Sequence, residues 1–206
     1  MPLEGRSLGY GYEKRTRIIR QLDIRLNPGE MVGLIGPSGC GKSTLGKLLA
    51  GHLVPDQGEV LLDGCPLAKG RRNPVQLVLQ HPEQAVNPRW KLRRTLAEAG
   101  AVDDNLLQAL AVEREWLNRY PNELSGGELQ RICVARALAP GTQYVIADEM
   151  TTMLDAITQA QIWQAVAGWA AARRAGILVI SHDRRLVNRL CSRTIERGEP
   201  ETVTIE

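Results

Sequence analysis

Nothing in this 206-residue chain is apolar for long enough to cross a bilayer, which takes about 20 residues. No signal-peptide pattern opens it. Its four cysteines (Cys40, Cys65, Cys133 and Cys191) are scattered, with no close pair suited to zinc. Reduced thiols in the cytosol are the simplest reading. No long run of one charge sign occurs, and the net charge is only +3. The pairs Arg71-Arg72 and Arg93-Arg94 therefore read as solvated faces, and no nucleic-acid partner is expected. Repeats, low-complexity segments and sustained heptads are absent, which excludes a long coiled-coil insertion. Hydrophobic content of 43% and charged content of 24% are ordinary for a globular domain of this length.

What the chain does have is two stretches suited to anions. Met31 to Ile35 is a short apolar run that reads as a buried strand. It leads into Gly36-Pro37-Ser38-Gly39-Cys40-Gly41-Lys42-Ser43-Thr44, and then into a helix from about Lys42 to Ala50. Glycines let the backbone curl so that several N–H groups face a phosphate, and the helix start adds its positive dipole end. In this phosphate-loop pattern Lys42 can reach the β- and γ-phosphates, and the Ser43 hydroxyl can ligate Mg²⁺. A chance glycine-rich turn is the bland alternative. The strand before it and the helix after it argue against that. Cys40 sits inside the loop, so a thiol reagent is expected to block nucleotide binding there.

Further along, Tyr144-Val145-Ile146-Ala147-Asp148-Glu149 is an apolar strand ending in two acids. Parallel α/β sheets place ligands at such strand ends. Asp148 suits Mg²⁺, and Glu149 suits the orientation and polarisation of an attacking water. Taken alone, two loop acids are usually just solvated. A third apolar strand, Ile177 to Ser181, ends at His182, which could touch the γ-phosphate. A lone His after a strand is usually structural, and only this context lifts it.

The second anion stretch is Leu124-Ser125-Gly126-Gly127-Glu128. Ser125 is a good helix N-cap, with two glycines exposing N–H groups behind it. Leu129, Ile132, Cys133 and Ala137 then recur at helical spacing. An ordinary capped helix explains this stretch equally well in isolation.

Together, these motifs resemble the nucleotide-binding subunit of an ATP-binding cassette (ABC) transporter over nearly the whole chain. The resemblance implies an α/β fold: a phosphate-loop NTPase core with a mostly parallel sheet, an N-terminal antiparallel β part and an inserted helical subdomain. It implies one domain over residues 1–206, with core at 1–80 and 125–206. The helical subdomain falls at about 81–124, where Leu106, Leu107, Leu110 and Val112 suggest one helix face and Trp116-Leu117 a second helix. It also implies ATP hydrolysis with ATP and Mg²⁺. Gly36 to Thr44 matches the phosphate loop, and Tyr12 the aromatic that stacks on adenine, with Tyr10 as second candidate. Gln80 matches a glutamine at the metal, and Ser125 to Glu128 with Leu129-Gln130-Arg131 the family signature. Asp148 and Glu149 match the metal and catalytic acids, Leu154-Asp155 the loop after them, and His182 the switch histidine. Ser125, Gly126, Gly127 and Asp155 are then expected to act on a second ATPase subunit's nucleotide, so that ATP joins the two subunits. Implied partners are that subunit in a homo- or heterodimer, membrane permease subunits and, indirectly, a substrate-binding protein. The implied location is peripheral, on the cytoplasmic face of the inner membrane.

Gln80-His81-Pro82 followed by Val86-Asn87-Pro88-Arg89 resembles the oligopeptide, dipeptide and nickel importer group. Arg119 to Leu124 and Thr158 to Ile162 fit the same group. Its cargo includes peptides, nickel and metal chelates, chosen by other subunits. Two departures stand beside Glu149: Met150 replaces a usual Pro, and Met153 a usual Ala. Methionine is flexible, so a less rigid loop is expected there, along with pairing to a related, non-identical chain. The chain stops soon after its last predicted strand, so no iron–sulfur cluster or regulatory domain is expected. Two alternatives stay open: an ABC ATPase of a non-transport complex, such as phosphonate breakdown or DNA repair, and a weakly active member of an asymmetric pair.

Overall fold

A computed structural model describes residues 1–12, 17–68, 70, 72–100 and 103–198. Arg71, one of the arginines read as a solvated face, lies outside them. Two sheets organise the described residues. The antiparallel sheet has the order β2-β1-β4-β5, from β1 (Leu3–Tyr10), β2 (Ile19–Leu26), β4 (Gln57–Leu62) and β5 (Cys65–Pro66). The parallel sheet has the order β6-β7-β8-β3-β9. Its strands are β3 (Met31–Ile35), β6 (Val75–Val78), β7 (Tyr144–Asp148), β8 (Gly176–Ile180) and β9 (Arg193–Glu196). The expected mixed α/β core with an antiparallel N-terminal part is borne out.

The apolar runs explain the central strands. β7 and β8 are buried along their whole length, as strands covered on both faces must be. On one face, α1 (Lys42–Leu49) packs Leu45, Leu48 and Leu49 against Leu34, Ile146, Leu178 and Ile180, in a core shared with β1 and β2. On the other, α4 (Gly126–Ala137) and α5 (Ala156–Arg173) build a second core with Val145, Ile177 and Val179. α6 (Arg184–Leu190) inserts Val187 into that second core. As the spacing requires, Leu129, Ile132, Cys133 and Ala137 of α4 are all buried.

Between Gln80 and Ser125 the chain forms smaller elements than the sequence suggested. α2 spans Leu92–Ala97 and α3 spans Asp104–Ala109. The other regular elements among the described residues of this stretch are 3₁₀ turns at Pro82–Ala85, Arg114–Asn118 and Pro121–Glu123. The second helix expected at Trp116-Leu117 is one of these turns. It holds because Trp116 is buried and the Leu92 amide donates to the Arg119 carbonyl at 3.0 Å. Leu106, Leu110 and Val112 do share the second core, although α3 itself stops at Ala109.

Arg72, Arg93 and Arg94 are exposed, as the sequence suggests, and two of them also hold neighbours. Arg72 donates to the carbonyls of Ala99 (3.1 Å) and Arg136 (3.0 Å), tying α2's exit to the end of α4. Arg94 stacks on Trp90, 3.9 Å from the ring centroid.

Candidate functional site

The sheet order puts four chain exits side by side. From β6, β7, β8 and β3 in turn emerge Gln80, Asp148-Glu149, Ser181-His182 and the phosphate loop. This is the C-terminal edge of a parallel sheet, where open α/β folds bind ligands.

The phosphate loop curls as glycine permits. Gly39 and Gly41 hold φ of +82° and +90°, which L side chains rarely adopt. A Cβ on Gly39 would meet nothing within 4 Å, so the loop's hollow stays open there. The Lys42 ammonium folds back and donates to the carbonyls of Gly36 and Pro37, both at 2.8 Å. Thr44 Oγ1 lies 3.4 Å from the exposed Tyr12 hydroxyl, and the Tyr12 ring meets Tyr10 edge-on at 5.2 Å. Cys40 is fully buried. The expectation that a thiol reagent blocks nucleotide binding there is therefore corrected: the side chain points into the protein, where a reagent has no path.

Ser43 Oγ donates to Asp148 Oδ1 at 3.0 Å, joining α1 to the end of β7. Burial pushes the Asp148 carboxyl above its usual range, opposed by the Ser43 hydrogen bond and the cations of Lys47 and Lys42. Glu149 follows in a left-handed backbone conformation, φ +48°. Outside glycine that geometry is costly and persists where the surroundings fix it. Here the Glu149 amide donates to the Ile180 carbonyl of β8 at 3.0 Å. The carboxylate is thereby turned toward His182, whose Nδ1 lies 3.3 Å from Glu149 Oε1.

The turn after Glu149 is tighter than its methionines suggested. Met150 is packed into the second core. Thr151 Oγ1 accepts from both Gln159 Nε2 and Trp163 Nε1 at 3.0 Å. The expected loosening beside Glu149 is thus not found, because the first methionine is core and the turn is tied to α5. Met153 is different, at 65% exposed.

At the start of α4, Ser125 Oγ accepts from the Glu128 amide and Glu128 accepts from the Ser125 amide, a complete capping box. These bonds hold the Glu128 carboxyl below its usual range, the Ser125 backbone donor first. Asp155 caps α5 in the same manner, accepting from Ile157 and Thr158 at 3.0 Å. Ser125, Gly127, Asp155 and the buried Arg131 line one cavity of about 440 Å³. Another, of about 460 Å³ between α3 and α5, is lined by Leu106, Trp169 and Arg173. It lies apart from the phosphate-binding groups, so size alone does not mark the site.

The sequence presents Gln130 only as part of the signature. It is buried and donates to the Leu79 carbonyl at 3.0 Å. A polar residue on the helical stripe of Leu129, Ile132 and Cys133 was the available signal.

The model of the ABC transporter family matches residues 19–152. The chain belongs to that family. It is an ATPase subunit of the ABC type, binding ATP and hydrolysing it. It is 37% identical to the nickel import ATP-binding protein NikE of Rhodospirillum rubrum, over 94% of this chain and 76% of that one. It is 34% identical to the nickel import system ATP-binding protein NikE of Staphylococcus aureus, over 94% and 85%. Among solved structures, the ATP-binding subunit of an ABC transporter superposes with TM-score 0.83 at 26% identity, over 95% of this chain and 85% of that one. The dimeric ABC transporter cassette MJ0796 shares the fold, with TM-score 0.81 at 24% identity over 97% and 96%. No helix among the described residues is long and apolar enough to cross a membrane.

Proposed function

We propose that this ABC ATPase drives an importer of nickel or nickel chelates, as one of two ATPase chains bound to a membrane permease. The relatives' import names and the subgroup pattern from Gln80 to Arg89 support this reading. The ATPase core is 1–80 and 125–206, and the short helices and turns of 81–124 form the subdomain that meets the permease. The chain then sits peripherally on the cytoplasmic face of the membrane, with cargo delivered by a separate binding protein.

In this reading Tyr12 stacks on adenine, and the amides from Gly36 to Thr44 wrap the phosphates. Lys42 exchanges its two carbonyl partners for β- and γ-phosphate oxygens. Ser43 and Asp148 offer Mg²⁺ hard oxygen donors already in contact, and the Gln80 amide oxygen is the third. The fit rests on that contact and on a buried carboxyl whose charge a cation would stabilise. No cluster of three or more His, Cys, Asp or Glu is poised for a metal among the described residues. None is needed for an ion shared with phosphates and water. When bound, Mg²⁺ neutralises charge on the β- and γ-phosphates.

Glu149 accepts a proton from the water that attacks the γ-phosphorus. The bond from that phosphorus to the bridging oxygen breaks, and ADP and phosphate leave. His182 steadies the Glu149 carboxylate and meets the γ-phosphate. Ser125, Gly126, Gly127 and Asp155 engage the nucleotide held by the partner chain. The observation that carries this reading is the pinned, left-handed Glu149 between Asp148 and His182.

The test is nickel uptake in host cells lacking this chain. Wild-type protein restores accumulation of radioactive nickel, and Glu149→Gln does not. If nickel uptake is normal without the chain while dipeptide uptake is lost, the cargo is a peptide and the nickel reading fails.

A further inference from the structure

Two side-chain hydrogen bonds join α4 to the segment around Gln80. Gln130 Nε2 donates to the Leu79 carbonyl at 3.0 Å. One turn on, Cys133 Sγ donates to the Pro82 carbonyl at 3.6 Å. These two carbonyls bracket Gln80 and His81. We propose that Gln130, assisted by Cys133, is a positioning residue that sets Gln80 relative to the helix carrying Ser125 and Gly126.

Packing alone does not explain Gln130. It is 1% exposed, and its Oε1 is buried without a partner among the described residues. An unpaired buried carbonyl oxygen is costly, and Leu or Met would fill the space without that cost. What an apolar side chain cannot do is donate to Leu79. Nor can the Cys133 thiol titrate in the neutral range, since burial pushes it up to about 11, so it remains a donor.

The arrangement ties two functions of one chain. The start of α4 addresses the partner's nucleotide, while Gln80 addresses this chain's own metal. With Leu79 and Pro82 held to α4, neither can be repositioned independently of the other. The partner's nucleotide state is thereby felt at this chain's metal-side glutamine.

This rests on the metal role given to Gln80 above, so the experiment separates the two. Full-length protein is titrated with Mn²⁺ in the presence of a non-hydrolysable ATP analogue, and bound metal is read by electron paramagnetic resonance. Changes to residues that orient metal ligands typically weaken metal binding about tenfold or more, and that is expected for Gln130→Met. Analogue affinity in EDTA stays that of the wild type. Cys133→Ala shifts the metal titration the same way by less, and Cys133→Ser, which keeps a donor, restores it. In a Gln80→Ala background Gln130→Met adds no further shift. An undiminished shift in that background overturns the proposal, as does an unchanged titration for both Gln130→Met and Cys133→Ala. If Gln80→Ala itself leaves metal binding untouched, the metal role of Gln80 fails and the clamp falls with it.

Discussion

At the edge of the parallel sheet the functional groups bond to one another across elements. Ser43 of α1 reaches Asp148 of β7, and Glu149 is held by β8 and faces His182. At the starts of α4 and α5 the capping side chains bond only along their own helices. Ser125 is satisfied by Glu128, Asp155 by Ile157 and Thr158, and the flanking Met153 and Ile157 are 65% and 72% exposed. One region is a site organised within the chain. The other is a pair of capped helix starts with exposed apolar neighbours. In the function proposed above, a single chain thereby carries the interior of one ATP site and the outer wall of another.

The comparison breaks most visibly at Glu149. Glu149→Gln removes the proton acceptor of the proposed reaction, and losing a general base costs about 10²–10⁴ in turnover. Phosphate release is expected to fall by that much while ATP binding stays close to wild type. Lys42→Ala acts on binding instead. Losing charge-assisted bonds to phosphate is expected to weaken ATP affinity about a hundredfold, as measured by calorimetry.

The two methionines sharpen the contrast as stability changes. Met150 is buried, so Met150→Ala costs about 2–5 kcal/mol in a denaturation series. Met153→Ala, on the open side, stays within about 0.5 kcal/mol. The reverse order would mean that the turn after Glu149 is not packed as described.

The smallest effect concerns the capping box. The Glu128 carboxyl titrates lower in the folded chain than in the unfolded one. Its contribution to stability is complete above its unfolded pKa and is lost as pH falls through the folded value. Glu128→Gln should therefore lower the melting temperature slightly at neutral pH, and the difference should vanish in acid.

Much of the sheet edge was legible in the chain of letters. β3, β7 and β8 are short apolar runs, and they lead into the phosphate loop, Asp148-Glu149 and Ser181-His182, which the sheet brings together. The capping box at Ser125 is equally local. The stretch from 81 to 124 was not legible as drawn. Its turns of three to five residues have no period to detect, and Trp116 is held by burial and by the backbone bond from Leu92 to Arg119. The same limit applies to Cys40, Met150 and Gln130. Their residue types suggested a reactive thiol, a loose loop and a motif letter, and only tertiary packing shows each as a buried group with fixed neighbours.

The most direct test of the divided site uses Ser125→Arg in tagged protein purified with its assembled partners. A photoactivatable ATP analogue reports occupancy of this chain's phosphate loop, and phosphate release reports turnover. The account predicts undiminished labelling of this chain with lost turnover in the complex, because the proposed function sets Ser125 against the partner's nucleotide. Normal turnover, or lost labelling of this chain alone, would contradict it.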